Sequence, residues 1–440
     1  MLRIRQIVSQ RYSVNFVRYF GSSKMASRPD YSRWSREQLI KHIEKLERKA
    51  EGPIEPGPST SDSPVQTPKS KKKKEMDFSK YSTRKIALRF AYLGWDYNGL
   101  AVQTNIQDGV TIRTIENEII NALHKTKLIP SQDVSDCEFS RCGRTDRGVS
   151  ALRQVISLRV RSNLSPEEQA DPSNDEKELD YLHILNNLIP SDIRIYEICL
   201  RPPPDFDARF SCVSRHYRYF FNGNDLDISR MDQAAKSFLG EHDFRNFCKV
   251  DASKQITNFK RTILHSTIVA HSEVPDLYFF DLKGTAFLWH QVRSMIAVLL
   301  MVGQGHEDVD IIARLLDVNA TPRRPVYEMA ADYPLVLWDC EFPEMEWTSF
   351  RNKETMDRVL DRTYDLWYEQ WLKSSLLTEF KSLVNTNSAF QQDKQGKGSS
   401  KVFINMGSGR GKPIGKYPKL MTRPTLDTPE EINQRWLDKK

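Results

Sequence analysis

The chain has 440 residues, 39% hydrophobic and 28% charged, with a net charge of +7; at roughly 150 residues per domain this allows two or three domains, or one two-lobed core with tails. Its longest near-apolar run, Met295 to Val302, falls far short of the roughly 20 residues of a membrane-spanning helix. The six cysteines lack zinc-ribbon spacing and are too sparse for a disulfide scaffold, which points to a reducing compartment.

Charge is unevenly placed. Residues 1–80 sum to +9 and residues 381–440 to +7, which leaves 81–380 at −9. A nucleic-acid groove on the core must therefore come from local clustering. Residues 1–25 hold Arg3, Arg5, Arg11 and Arg18 and no acid, a pattern shared by mitochondrial transit peptides and by disordered basic leaders; a start at Met25 would remove it. Ser35 and Gln38 form a capping box for a helix over 35–50, with Leu39, Ile43 and Leu46 in a stripe. Residues 51–70 read as a Pro/Ser-rich linker. Lys71–Lys74 fits a nuclear import signal, an RNA-attracting tether or a plain solvated run. Nuclear and cytoplasmic residence is the expectation, with mitochondrial import open through residues 1–25.

The core is expected in two halves, 81–200 and 201–350. Alternation predicts strands over 85–94, 137–141, 154–160, 193–200, 214–222, 263–271 and 277–282. Helical spacing predicts helices over 111–126, 181–188, 229–239 and 287–303. Residues 165–180 hold seven acids and one lysine and read as an exposed acidic loop. The sum is an α+β fold of two similar halves, then a helical extension over 351–384. A basic, loosely ordered tail follows over 385–440, with a short helix near 429–437.

Three segments can carry chemistry. In FSRCGRTDRGVSA (139–151), glycines permit a tight loop and close approach, and Asp146 between Arg144 and Arg147 has its ionised form favoured. Such a carboxylate is either a nucleophile that needs no cofactor or an ion-paired surface turn. In DARFSCVSRHYRYFF (207–221), arginines interleave with rings, as in nucleic-acid contacts or in an ordinary aromatic strand; Tyr217 and Tyr219 share one face. In AFLWHQVRSMIAVLLMVGQG (286–305), Arg293 stands alone in an apolar helix. It needs a partner such as a carboxylate across a cleft, unless it snorkels. His290 without a second ligand is a weak metal argument. VFINMGSGRGKP (402–413) fails as a phosphate loop, because Met406 stands where glycine is needed and Pro413 follows Lys412.

Together these segments resemble the TruA family of tRNA pseudouridine synthases. CGRTDRGVSA (142–151) is similar to its catalytic loop, ARFSCVSRHYRYFF (208–221) to its second motif and FLWHQVRSMI (287–296) to its third; FAYLGWDYNGLAVQ (90–103) also fits. FLWHQVRSMIAVLLMVGQG and LWDCEFPEMEW (337–347) resemble the eukaryotic branch that modifies positions 38 and 39 of the anticodon arm. The resemblance spans about 84–345. It implies two α/β halves around a central antiparallel sheet with a cleft between. It also implies Asp146 as catalytic aspartate, Arg144 managing the target nucleotide, Tyr217 against the target base and Arg293 paired with the aspartate. Arg147, after the aspartate, departs from the expected Lys or Ala. Arg141, Arg147, Arg153, Arg215 and Arg218 are the candidate phosphate contacts. Isomerising uridine needs no cofactor and no metal, so tRNA is the expected partner, with a homodimer left open.

Overall fold

The computed structural model describes residues 76–103, 112–386, 402–409 and 411–440. The basic leader, the helix expected over 35–50, the linker and Lys71–Lys74 lie outside the described residues. The first strand, β1 (Ser82–Tyr92), turns Ile86, Leu88, Phe90 and Tyr92 inward, as its alternation predicts. Helix α1 (Ile115–Lys125) is capped by Thr114, whose side chain accepts the Asn117 N–H, and buries Ile115, Ile119, Ile120 and Leu123. Strands β2 (Ser140–Arg141) and β3 (Ser150–Ser162) flank the first motif. Short helices α2 (Pro166–Gln169) and α3 (Tyr181–Asn186) precede β4 (Ile193–Cys199).

The second half repeats the recipe. Strand β5 (Ser214–Asn222), helix α4 (Ile228–Lys236), β6 (Gly240–Asp243), β7 (Lys260–Ala270) and β8 (Leu277–Gly284) lead to α5 (Gln291–Gly303), the short α6 (Ile311–Leu316) and β9 (Leu335–Glu341). All form one nine-stranded sheet in the order β4-β1-β3-β9-β5-β8-β7-β6, with β2 paired to β3. Pairing is antiparallel except between β3 and β9, where the halves join in parallel through only Ser150↔Val336 and Ala151↔Leu337. That seam is made by the last two residues of the first motif. Every residue of α5 is buried except Arg293. The chain continues as one long helix, α7 (Lys353–Thr386), which buries only Thr355.

Three differences from expectation have local causes. Helix α5 begins at Gln291 rather than 287, because His290 takes a left-handed backbone conformation at φ 61° and the Gln291 side chain accepts the Leu288 N–H. The 165–180 segment is not all solvated: Ser165 and Glu168 form a capping box, and Glu178 is buried against Arg84. The described part of the tail is docked, not loose. Strands β10 (Val402–Ile404) and β11 (Lys412–Ile414) form a hairpin. Asn405 exchanges hydrogen bonds with the Gln304 side chain at 2.6 and 2.9 Å, and the Met406 carbonyl accepts the Ala331 N–H at 2.8 Å. Further on, buried Glu307 accepts the Tyr417 hydroxyl and the Leu420 N–H, both at 2.7 Å, with Leu420 fully buried. Helix α8 (Pro429–Leu437) closes the tail, at the place the sequence predicts.

Candidate active site

The loop carrying Asp146 is built by contact with the first strand's extension. Tyr92, buried at the end of β1, shares a 2.8 Å hydrogen bond with the Thr145 hydroxyl. The Thr145 carbonyl accepts the Leu100 N–H at 3.2 Å, and the Tyr97 carbonyl accepts that of Gly148. Two glycines make this possible. Gly99 has φ +95° and its missing Cβ would lie 2.7 Å from the Thr145 carbonyl oxygen, while Gly148 turns the loop at φ +78°. The FAYLG…NGLA segment and the GRTDRG loop are therefore one structural unit. Behind it, buried Glu116 is pushed up by burial and pulled down by Arg141 and the Val102 N–H.

Asp146 is half-buried at the loop tip. Two neighbours reach its oxygens, both from the residues just before α5. The Trp289 indole N–H donates to Oδ1 at 3.3 Å, and His290 Nε2 lies 3.4 Å from Oδ2. Burial, together with Arg293, Lys249 and Arg324, lowers the His290 pKa, against the raising effect of Asp146. His290 is thus neutral near pH 7, with its buried Nδ1 unpartnered. Lys249 sits over the Trp289 ring at 4.6 Å and fixes the indole from its other side.

Tyr217 lies on β5 beside a bulge at His216 and Tyr217. Its ring is packed edge-on against Phe287, with centroids 5.1 Å apart, and burial raises its hydroxyl pKa. Phe287 stands two residues before Trp289, so the second and third motifs meet beside Asp146. Arg293 does not meet the carboxylate. Its Nε donates to the Ala330 carbonyl at 2.9 Å, and the Ala330 N–H returns a bond to the Arg293 carbonyl. Among the described residues the titratable neighbour of Asp146 within 4 Å is His290. The expected Arg293–Asp146 pair is not made in this structure, where the guanidinium Nε is taken by the Ala330 carbonyl. Trp289 and His290 were missed as neighbours of the aspartate, although both sit inside the third motif.

The candidate phosphate contacts separate into two groups. Arg141 pairs with Glu116, Arg153 with Asp339 at 2.8 Å, and Arg218 with Asp281 at 2.9 Å between the Phe279 and Trp338 rings. Arg215 donates to the carbonyls of Thr285, Cys142 and Arg209 at 3.0, 2.9 and 2.9 Å, so it clasps the site rather than facing solvent. Arg144 and Arg147 are exposed and, among the described residues, carry no ion pair. They are the cations free to meet an anion beside Asp146.

A family model described as "tRNA pseudouridine synthase" matches residues 234–343. A Saccharomyces cerevisiae protein, "tRNA pseudouridine(38/39) synthase", is 49% identical over 99% of this chain and 98% of its own length. The Homo sapiens protein of the same name is 41% identical over 72% of this chain and 69% of its own. "tRNA pseudouridine synthase A" of Methanothrix thermoacetophila is 33% identical over 63% of this chain and 90% of its own.

Proposed function

We propose, from the premise that this chain belongs to the TruA family of tRNA pseudouridine synthases, that it isomerises uridines 38 and 39 of the anticodon arm with Asp146 as the nucleophile. The enzyme is an isomerase acting on tRNA. The reaction breaks the bond from C1′ to N1, rotates the uracil and joins C1′ to C5. The C5 proton leaves and N1 gains one, so there is no net redox change. The target base first leaves its stack, at a cost of a few kcal/mol. Asp146 then attacks C1′ of the sugar or C6 of the base. The observation that carries this reading is that Trp289 and His290 reach the Asp146 carboxylate while Tyr217 packs on Phe287 of that same segment.

Each group has a role in that scheme. The Trp289 N–H orients the carboxylate as a donor, with neutral His290 packed beside its other oxygen. Tyr217 bounds the space for the base. Arg144 and Arg147 take phosphate or the moving nucleotide. Arg293 acts at one remove, tying the start of α5 to the Ala330 segment. The test is pseudouridine mapping on a tRNA transcript with uridine at 38 and 39, incubated with the purified protein. Product at both positions is expected; product only elsewhere overturns the assignment. In the same assay Trp289→Phe, which keeps the ring and removes one donor to a charged acceptor, lowers the single-turnover rate about tenfold. Its tRNA affinity stays within about twofold.

We also propose that α7 carries a homodimer contact. It extends about 50 Å at 1.5 Å per residue, and its Tyr364, Trp367, Trp371, Leu376 and Phe380 are 50–70% exposed. Tyr364, Trp367 and Trp371 share one face and Leu376 and Phe380 lie on another, and so much bare apolar surface needs a cover. Residues 353–369 sum to −2 and 370–386 to +1, so an RNA phosphate backbone does not suit it, whereas a second copy laid antiparallel matches its charges. Light scattering is expected to give a dimer for the wild type and a monomer for the double variant Trp367→Glu, Trp371→Glu, with thermal stability unchanged. A monomeric wild type at micromolar concentration overturns the contact.

A further inference from the structure

Among the described residues, the barest large apolar side chain is Phe210, 80% exposed; the next is Leu376 at 70%. The backbone beneath Phe210 is held firmly. The Asp207 carboxylate accepts the N–H groups of Arg209 and Phe210 at 2.8 and 2.9 Å. The Asp207 carbonyl accepts the Ser211 N–H at 2.9 Å, and the Asp207 N–H reaches the Ser211 hydroxyl at 3.1 Å. Ala208 is fully buried and donates its N–H to the Ser140 hydroxyl at 2.9 Å. Phe206 is buried against Phe342, with centroids 5.4 Å apart.

The same turn is fastened to the loop that carries Asp146. One Arg215 nitrogen donates to both the Arg209 and the Cys142 carbonyls at 2.9 Å, and Cys142 opens the CGRTDRG sequence. The exposed Arg209 guanidinium lies over the Phe210 ring at 5.3 Å. A bare ring with a cation against it, on a fixed stem at the rim of a nucleophile's loop, has the makeup of a nucleobase stacking platform. A protein-binding hot spot instead sits in a desolvated apolar surround, whereas Phe210 has Arg209 and Ser211 beside it and Arg144 on the neighbouring loop.

We propose that Phe210 is a base-stacking residue for the RNA substrate: its ring lies on the base laid bare when the target uridine leaves the helix, and Arg209 takes an adjoining phosphate. This deepens the reading above and rests on it. Stacking on Phe210 offsets part of the cost of extrusion, so its benefit is largest where the target uridine is well paired. Loss of one such stack corresponds to about 5- to 150-fold.

The test compares wild type, Phe210→Ala and Phe210→Trp on two transcripts. One has the target uridine paired; in the other its partner is a mismatch, so the uridine is already loose. Phe210→Ala is expected to lower kcat/KM for pseudouridine formation at least about fivefold on the paired transcript and clearly less on the mismatched one. Phe210→Trp should stay within about twofold of wild type. Thermal midpoints should coincide, because a ring 80% exposed contributes little to the core. Equal losses on both transcripts overturn the stacking role. Unchanged rates also overturn it and leave the ring to a protein partner. A wild-type enzyme that makes no product would instead defeat the parent reading, so the two failures are distinguishable.

Discussion

Replacing Asp146 by alanine is expected to lower pseudouridine formation about 10⁴-fold or more, as loss of a nucleophile does elsewhere. Affinity for tRNA should change by less than about threefold, because phosphate contacts dominate binding. The geometry separates these two effects. Asp146 touches Trp289 and His290, while the unpaired cations Arg144 and Arg147 stand on either side of it in the loop and remain in the variant. Asp146→Asn is the sharper experiment. It preserves shape and an acceptor for the Trp289 N–H but removes the negative oxygen, and its rate should match that of the alanine variant. A purified Asp146→Asn protein that converts uridine at the wild-type rate would remove the nucleophile assignment, even if tRNA binding were intact.

The second large effect lies at Glu178. This carboxylate and Arg84 are both buried, 2.8 Å apart. Glu178 also accepts the Ser162 hydroxyl at 2.6 Å and the N–H groups of Asn163 and Leu179 at 3.0 and 2.9 Å. Arg84 has one further outlet, the Leu200 carbonyl at 2.9 Å. Glu178→Ala therefore strands a buried guanidinium, which costs about 3–5 kcal/mol out of a usual total of about 5–15 kcal/mol. Chemical denaturation should show a lower midpoint, with residual protein unfolded at growth temperature.

The pH dependence has a definite sign. Burial alone would raise the Glu178 pKa, but the hydrogen bonds from Ser162, Arg84 and the two amides outweigh it and hold the carboxyl below its ordinary value. A carboxyl depressed in the folded state stabilises the protein above its unfolded pKa, about 4.3. That contribution fades as pH falls through the folded value. Wild-type stability should therefore drop below about pH 4 more steeply than that of Glu178→Gln. Equal slopes for the two proteins would show that this carboxyl does not bind protons differently in the two states.

Much of the fold was legible because its strands are half-buried and alternate. The expected span 214–222 is the observed β5, and β1 and β3 differ from expectation mainly at their ends. Two strands of the large sheet were not legible. Strand β6 reads GEHD, with no apolar pattern, and β9 owes its existence to pairing with both β3 and β5. The tail looked disordered because its anchors, Met406 and Leu420, are isolated in a basic, glycine-rich stretch. Glu178 was hidden in a run of acids that resembles any solvated loop. At the site, Asp146 and Tyr217 were legible from motif and resemblance. The partner of Arg293 was not, because a sequence shows which residues carry carboxylates but not which backbone carbonyl a guanidinium will meet. Trp289 and His290 became visible only with the left-handed turn before α5, which aims both at the aspartate.

The docked tail bears on how the enzyme is made. A ribosome that has reached codon 400 has already supplied Asp146, Tyr217, His290 and Arg293. It has not yet supplied Asn405 and Met406, which fasten Gln304 and Ala331, nor Leu420, whose N–H meets Glu307. Arg293 is held by Ala330, the residue next to that fastening. The support behind Arg293 is therefore completed late in synthesis, and a message with a stop codon shortly before 402 would encode every reacting group while leaving that segment untied.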